Sequence, residues 1–294
     1  MTWPTKCDAV SGMAGTGFDT LLYGVSNGEV WIVDVLDITT FHTTKLTHCT
    51  RNKASVTCVA WFGEDQQFAV GFADGKIVLA TRDGNSNIAT IDACQHEVIQ
   101  LAWDPTGSHL AVHEALQSNV KIWCNHGDAW NAIYTLKHNT TVTAMLWCPV
   151  ADSSVSNFLT FVIGGKDGMV NVWNLSLSVD YSEVRTTSSE TFSTQKNLKL
   201  ANFSKSAIGI KDMPMKTTFS DCCIVSKLNC SAGGAITTIQ FNPTSDLLAT
   251  GGNTGWLAVW SLHDGTLLQS KEGDGAVSSL SWLSDFLLVS SFSN

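Results

Sequence analysis

The chain has 294 residues, with 26 acidic against 17 basic side chains and a net charge of −9. Charged residues make up 15% of it, against roughly 25% in an average soluble domain, so Ser, Thr, Asn and Gly supply much of its polarity. The acidic balance without a basic cluster argues against direct nucleic-acid binding, whose affinity comes from Lys and Arg neutralising phosphates. No apolar run approaches the roughly 18 residues that cross a bilayer, which argues against membrane insertion.

Met1-Thr2-Trp3-Pro4-Thr5-Lys6 opens the chain without the apolar stretch of a secretory signal. Nine cysteines, an odd count scattered apart from Cys222-Cys223, fit reduced thiols better than a disulfide framework. The expected setting is cytoplasmic or nuclear.

In chain order, 7–13, 21–26 and 29–35 read as three strands, the last two joined at Asn27-Gly28. Then a pattern recurs: Val56-Thr-Cys-Val-Ala-Trp61, Val98-Ile-Gln-Leu-Ala-Trp103, Val142-Thr-Ala-Met-Leu-Trp147, Ile236-Thr-Thr-Ile-Gln-Phe241 and Val277-Ser-Ser-Leu-Ser-Trp282. The final residues of these segments lie 42, 44, 94 and 41 positions apart. A second ladder runs in step: Asn27-Gly-Glu-Val-Trp-Ile-Val33, Asp74-Gly-Lys-Ile-Val-Leu-Ala80, Ser118-Asn-Val-Lys-Ile-Trp123, Asp167-Gly-Met-Val-Asn-Val-Trp173 and Thr254-Gly-Trp-Leu-Ala-Val-Trp260. Period-two alternation marks strands with one face buried. Asp-Gly or Asn-Gly between two such strands supplies the φ > 0 positions of a hairpin turn. A fourth strand follows in each period, as at 133–136 and 266–269.

Four antiparallel strands every 40 to 45 residues, with Trp near the end of the third, form the signature of a repeat propeller. On these residues the chain resembles the WD40-repeat family over nearly its whole length, although the Trp-Asp pair survives only as Trp123-Cys124, Trp173-Asn174 and Trp260-Ser261. The resemblance implies an all-β fold, a WD40-type β-propeller in one domain spanning 1–294. It also implies that His138, Asp167 and Trp173 form a structural hydrogen-bond network, although the Ser or Thr that normally joins it is not evident beside Gly164.

Both ladders have one doubled gap, across the Ser/Thr-rich stretch 176–234. Two readings fit it: a degenerate fifth blade, with 197–203, 207–210 and 222–228 as strands, or an insertion into a six-bladed ring. The doubling favours the hidden blade and seven blades in all. The segment from Phe286 to Asn294 aligns with Leu21 to Asn27, so the last blade reads as incomplete after 294. A blade left so exposes an unpaired edge, which invites association.

Catalysis would need convergent titratable groups. The eight histidines show no metal-ligand spacing, and His109 and His113 fall in a strand where a four-residue step does not make them converge. Cys222, Cys223 and Cys230 lack paired C-x-x-C spacing. Gly251-Gly-Asn-Thr-Gly255 precedes a strand, and no Lys-Ser/Thr follows it, so it is a turn and not a phosphate loop. Asn139, Asn174, Asn202 and Asn229 are glycosylation sequons that a chain without a signal would leave unused. The hydroxyls of 186–194 read as a solvated loop. No enzyme, cofactor or metal is expected.

What a propeller varies is its loops. The hairpin turns and the loops before each inner strand share one face. Trp256, directly after a turn glycine, is the leading protein-binding candidate there, weighed equally against packing on a neighbouring loop. Phe72, Asp74, Glu97, Lys166 and Asn253 lie on the same face, and the acidic chain favours a basic partner segment. The expected role is a non-enzymatic scaffold, a subunit joining proteins or peptides in a larger complex. The stretches 84–103 and 147–168 resemble repeats of transducin-β-like corepressor subunits, which implies a nuclear transcriptional corepressor complex. The alternative is a scaffold in RNA-particle assembly or intracellular transport.

Overall fold

A computed structural model describes residues 10–15, 20–35, 40–50, 54–62, 67–82, 89–126, 129–149, 158–179 and 217–293. These form six antiparallel sheets. The first contains β1 (Val10–Gly15), β2 (Thr20–Val25), β3 (Val30–Val35) and β4 (Phe41–Lys45). The second contains β5 (Val56–Phe62), β6 (Gln67–Phe72), β7 (Lys76–Thr81) and β8 (Ala89–Asp92). In the third are β9 (Val98–Trp103), β10 (His109–Glu114), β11 (Asn119–His126) and β12 (Ala129–Lys137). In the fourth are β13 (Val142–Trp147), β14 (Phe158–Gly165), β15 (Met169–Val179) and β16 (Thr217–Asn229). After a short 3-10 turn at Ser231–Gly233 come β17 (Ile236–Phe241), β18 (Leu247–Gly252), β19 (Trp256–Ser261) and β20 (Leu267–Glu272). The sixth sheet pairs β21 (Ala276–Ser284) with β22 (Leu287–Ser293).

Each sheet is a meander whose first strand contacts the first strand of the next sheet. Both faces of an inner blade are therefore buried, which explains why β6 and β18 read as nearly continuous apolar runs. Separate apolar clusters fill the successive blade junctions: Leu22, Ile32, Val56 and Phe68 in the first, and Val162, Val170, Ile236 and Leu248 between the fourth and fifth sheets. A glycine in the second strand permits the close approach. A Cβ on Gly24 would lie 2.1 Å from Val56, one on Gly164 2.7 Å from Ile236, and one on Gly251 2.5 Å from Val277.

Two side-chain devices tie inner strands to their neighbours. The Thr57 hydroxyl donates to the Val98 carbonyl, and Thr237 donates to Val277 O at 2.6 Å. At the other end of the strands, the indoles of Trp103, Trp147 and Trp282 donate back to the carbonyls of Ala60, Ala102 and Gln240 at 3.1–3.3 Å. In these three sheets the inner-strand Trp is thus a blade-to-blade fastener.

Residues 222–228, expected within a separate fifth blade, lie in β16, the outer strand of the fourth sheet, in register with β15 from Met169↔Asn229 to Val179↔Thr217. Among the described residues the next sheet packs directly on this one. The other two expected strands, 197–203 and 207–210, and the hydroxyl-rich 186–194 lie outside the described residues.

Candidate recognition face

The hairpin turns and the loops before the inner strands meet on one face through a repeated backbone bond. The first turn residue donates its N–H to the carbonyl just before the inner strand: Ala73 to Ser55, Ala115 to Glu97, Lys166 to Thr141 and Asn253 to Ala235, all at 2.9–3.0 Å. Asp or Asn side chains then close the turns, with Asn27 accepting from Glu29 N, Asp74 from Lys76 N and Asp167 from Met169 N. The following glycine takes positive φ, as at Gly75 (80°) and Gly255 (91°), because the tight hairpin demands that conformation.

Asp74, Glu97, Lys166 and Asn253 are exposed on this face. Phe72 is not: it is the last residue of β6, opposite Val56, and is completely buried between the first two sheets. Period-two register turns it inward, so it is removed from the candidate surface. Trp256 is half-buried, edge-to-face against Trp260 with ring centroids 6.3 Å apart and packed on the turn at Gly233. Packing on a neighbouring loop accounts for most of its ring.

Of the expected network, His138 and Asp167 come together and Trp173 does not. His138 Nδ1 lies 3.9 Å from Asp167 Oδ1 and takes the Thr140 N–H, its Nε2 faces the Met169 carbonyl at 3.2 Å, and the Thr140 hydroxyl accepts from Asp167 N. Trp173 packs in the core between the third and fourth sheets with its Nε1 buried and unbonded. No hydroxyl is there to relay it, since Ile163 stands at the matching position. The fifth sheet has the relay: Trp260 Nε1 donates to the Thr250 hydroxyl at 3.0 Å, and Cys230 Sγ lies 3.5 Å from the same oxygen. A cysteine in the histidine's place concealed this copy in the sequence.

The turn of the third blade departs from the rule and carries the most conspicuous residue of the face. Leu116 adopts φ 63° without being glycine and is 86% exposed. Sequence reading missed it because this hairpin lacks the Asx-Gly signal; the signal that remained was a leucine between Glu114-Ala115 and Gln117-Ser118. Beneath it, the carboxylate of Glu114 accepts the backbone N–H groups of Gln95 and His96 and contacts His96 Nδ1 at 2.7 Å. Although burial opposes ionisation of Glu114, its bonds to His96 and the nearby Lys121 hold its pKa below the usual value. This buried charge fixes the loop that presents His96 and Glu97 beside Leu116.

On the opposite face a cleft of about 400 Å³ is lined by Trp61, Phe62, Trp103, Pro105, Trp147 and Pro149. Asp104, the titratable member of the lining, is buried and accepts from His109 N at 2.8 Å, with its other oxygen 3.1 Å from His109 Nδ1. It is committed to the corner of its own blade. Among the described residues no group of three His, Cys, Asp or Glu converges as a metal holder. Burial pushes the thiols of Cys49, Cys58 and Cys94 up to about 12.

These features define a WD40-type β-propeller, a class that generally mediates protein–protein interaction. The family model described as WD domain, G-beta repeat matches residues 42–79 and 222–261. Each match starts near the outer strand of one sheet and runs through three strands of the next. Among solved structures the chain resembles the WD40 β-propeller domain of Doa1, with 14% identity, a TM-score of 0.62, and coverage of 97% of this chain and 75% of that one. It also resembles a chain of the mitotic checkpoint complex, with 19% identity, a TM-score of 0.63, and coverage of 96% and 74%. At such identities the likeness is one of fold.

Proposed function

We propose that the chain is a non-enzymatic scaffold that holds partner proteins on the face carrying the hairpin turns, with the third blade as the anchor point. The observation that carries this reading is Leu116: a large apolar side chain exposed on the recognition face, in a backbone conformation that costs about 1–3 kcal/mol for a non-glycine residue. Strain and exposure at one residue suit a contact that is desolvated only in a complex. Glu97 beside it and Asp74 on the preceding turn match a basic partner segment, and Lys166 and Asn253 extend the same surface. Trp256 contributes its exposed edge.

The finer assignment is to a nuclear corepressor assembly, supported by the resemblance of 84–103 and 147–168 to transducin-β-like subunits. The test is affinity purification of the full chain from nuclear and cytoplasmic extracts, with wild type beside Leu116→Asp and Glu97→Lys. Recovery of deacetylase and corepressor subunits by the wild type, lost in both variants at unchanged melting temperature, is the expected result. Recovery of only RNA-processing or trafficking proteins would overturn the corepressor assignment. Identical partner sets for wild type and both variants would overturn the face.

A further inference from the structure

In the hairpin turns between second and third strands, the residue after the first turn position spends its side chain inside the fold, with one exception. Asn27, Asp74 and Asp167 accept the backbone N–H two residues on, and the Thr254 hydroxyl donates to the Ala232 carbonyl. In the third blade that place is taken by Leu116, whose side chain makes no such bond and stands 86% exposed. The turn beneath it is held from both flanks. Ala115 N donates to the Glu97 carbonyl on the preceding loop, and the Ser118 carbonyl accepts from His138 N at 2.7 Å on the following one. Leu116 is therefore an apolar knob on a fixed base.

Its exposed surroundings are polar: Gln95, His96 and Glu97 on the preceding loop and Asn139 on the following one. The polarity of His96 is set from below. One oxygen of Glu114 accepts the N–H groups of Gln95 and His96 and lies 2.7 Å from His96 Nδ1. A carboxylate offers only lone pairs, so Nδ1 carries the proton, and the neutral imidazole keeps Nε2 as an acceptor on a side chain that is 55% exposed. Two acceptors, His96 Nε2 and the Glu97 carboxylate, thus stand beside the knob. An apolar centre ringed by polar groups is the anatomy of a binding hot spot, and here the centre protrudes.

A side chain this exposed is desolvated only by a recess that closes round it. An extended peptide would lie along one side of the leucine and leave the rest in water. We propose that Leu116 inserts into an apolar pocket on a folded partner domain, whose rim carries basic or N–H donor groups that meet His96 Nε2 and the Glu97 carboxylate. This rests on the reading of the turn-bearing face as the binding face, and it assigns the recess to the partner. The basic segment of that partner is then the border of its pocket.

Photo-leucine, a leucine isostere carrying a diazirine, tests this in the full chain. Leu116→photo-leucine is compared with Leu268→photo-leucine, a control on β20 where the side chain is 56% exposed. Irradiation in cell extract should link the Leu116 probe to apolar residues drawn from separate segments of one folded domain. Once purified, that partner should bind Leu116→Ala at least about tenfold more weakly than wild type. Alanine keeps the Cβ and with it the backbone strain, so the comparison isolates the rest of the side chain. Nitrogen NMR of the imidazoles in the free chain should show neutral His96 protonated at Nδ1. Links confined to one contiguous segment would overturn the pocket and leave the binding face standing. Links no more frequent from the Leu116 probe than from the Leu268 probe would overturn both. Wild-type affinity in Leu116→Ala, or neutral His96 protonated at Nε2, would likewise overturn the proposal.

Discussion

The third and fifth blades perform the same structural task with opposite chemistry. Both turn the corner from first to second strand identically. Asp104 N donates to His109 O and His109 N to the Asp104 carboxylate, while Asn242 N donates to Leu247 O and Leu247 N to the Asn242 side-chain oxygen, all at 2.8–3.1 Å. Where the fifth blade then places Leu247, Gly251 and Gly252, the third places His109, His113 and Glu114, all buried. The glycine that lets Val277 approach the fifth blade is replaced by His113, which bonds the Asn119 carbonyl. Ile99 stands where Thr237 latches blade to blade, and Gln100 reaches the Thr143 carbonyl at 3.1 Å instead. A propeller blade can thus be closed by close apolar approach or by buried polar bonds, and the second way makes it sensitive to protonation.

The largest effect is expected at the charged corner. Although burial disfavours the charged form, the bonds of His109 to Asp104 and Cys124 raise its pKa to about 9. Asp104→Ala strands this group and should cost about 3–5 kcal/mol, read by urea denaturation. The comparison with the fifth blade sharpens the test. The double substitution Asp104→Asn with His109→Leu recreates the Asn242–Leu247 corner and should recover most of the loss. A double variant as unstable as Asp104→Ala would show that the two corners are not equivalent.

Next comes an exchange of the packing residues. Gly251→His brings the third blade's side chain into a space where even a Cβ lies 2.5 Å from Val277. Overpacking should cost about 1–3 kcal/mol or more. A melting temperature equal to wild type would show that the junction of the fifth and sixth sheets yields without cost.

Protonation separates the blades further. Burial holds the His113 pKa below its ordinary value, so the stability it contributes is present above about pH 6.5 and is lost as pH falls through its folded pKa. His109 has the opposite sign: its contribution is complete below about pH 6.5 and is lost as pH rises through about 9. Unfolding free energies over a pH series should therefore show His113→Gln flattening the acid limb and His109→Leu the alkaline limb, both relative to wild type. Matching limbs in all three proteins would remove the third blade as the source.

Strands, turns and blade period were legible in the sequence because they rest on local alternation and Asx-Gly pairs. What escaped depends on register and on partners distant in sequence. Phe72 looked like a turn residue until pairing with Val56 turned it inward. β16 looked like part of a new blade because 37 residues outside the described structure separate it from β15, its partner. The Thr250–Trp260 relay was hidden by Cys230. Leu116 was hidden by the very feature that singles it out, a left-handed turn residue that is not glycine.

That last residue gives the smallest expected change in stability and the most direct test of function. Gly28, Gly75, Gly168 and Gly255 meet positive φ at the other turns without steric strain. Leu116→Gly brings the third blade into line with them, and relief of strain, less the added chain entropy of glycine, should stabilise the fold by about 1 kcal/mol. The same substitution removes an apolar side chain exposed to 86% on the recognition face. If the strain is retained for binding, the variant melts higher and recovers fewer partners. A variant that melts higher and binds as well as wild type would leave Leu116 without a role in recognition, and the third blade's departure from the glycine rule would then be unrelated to function.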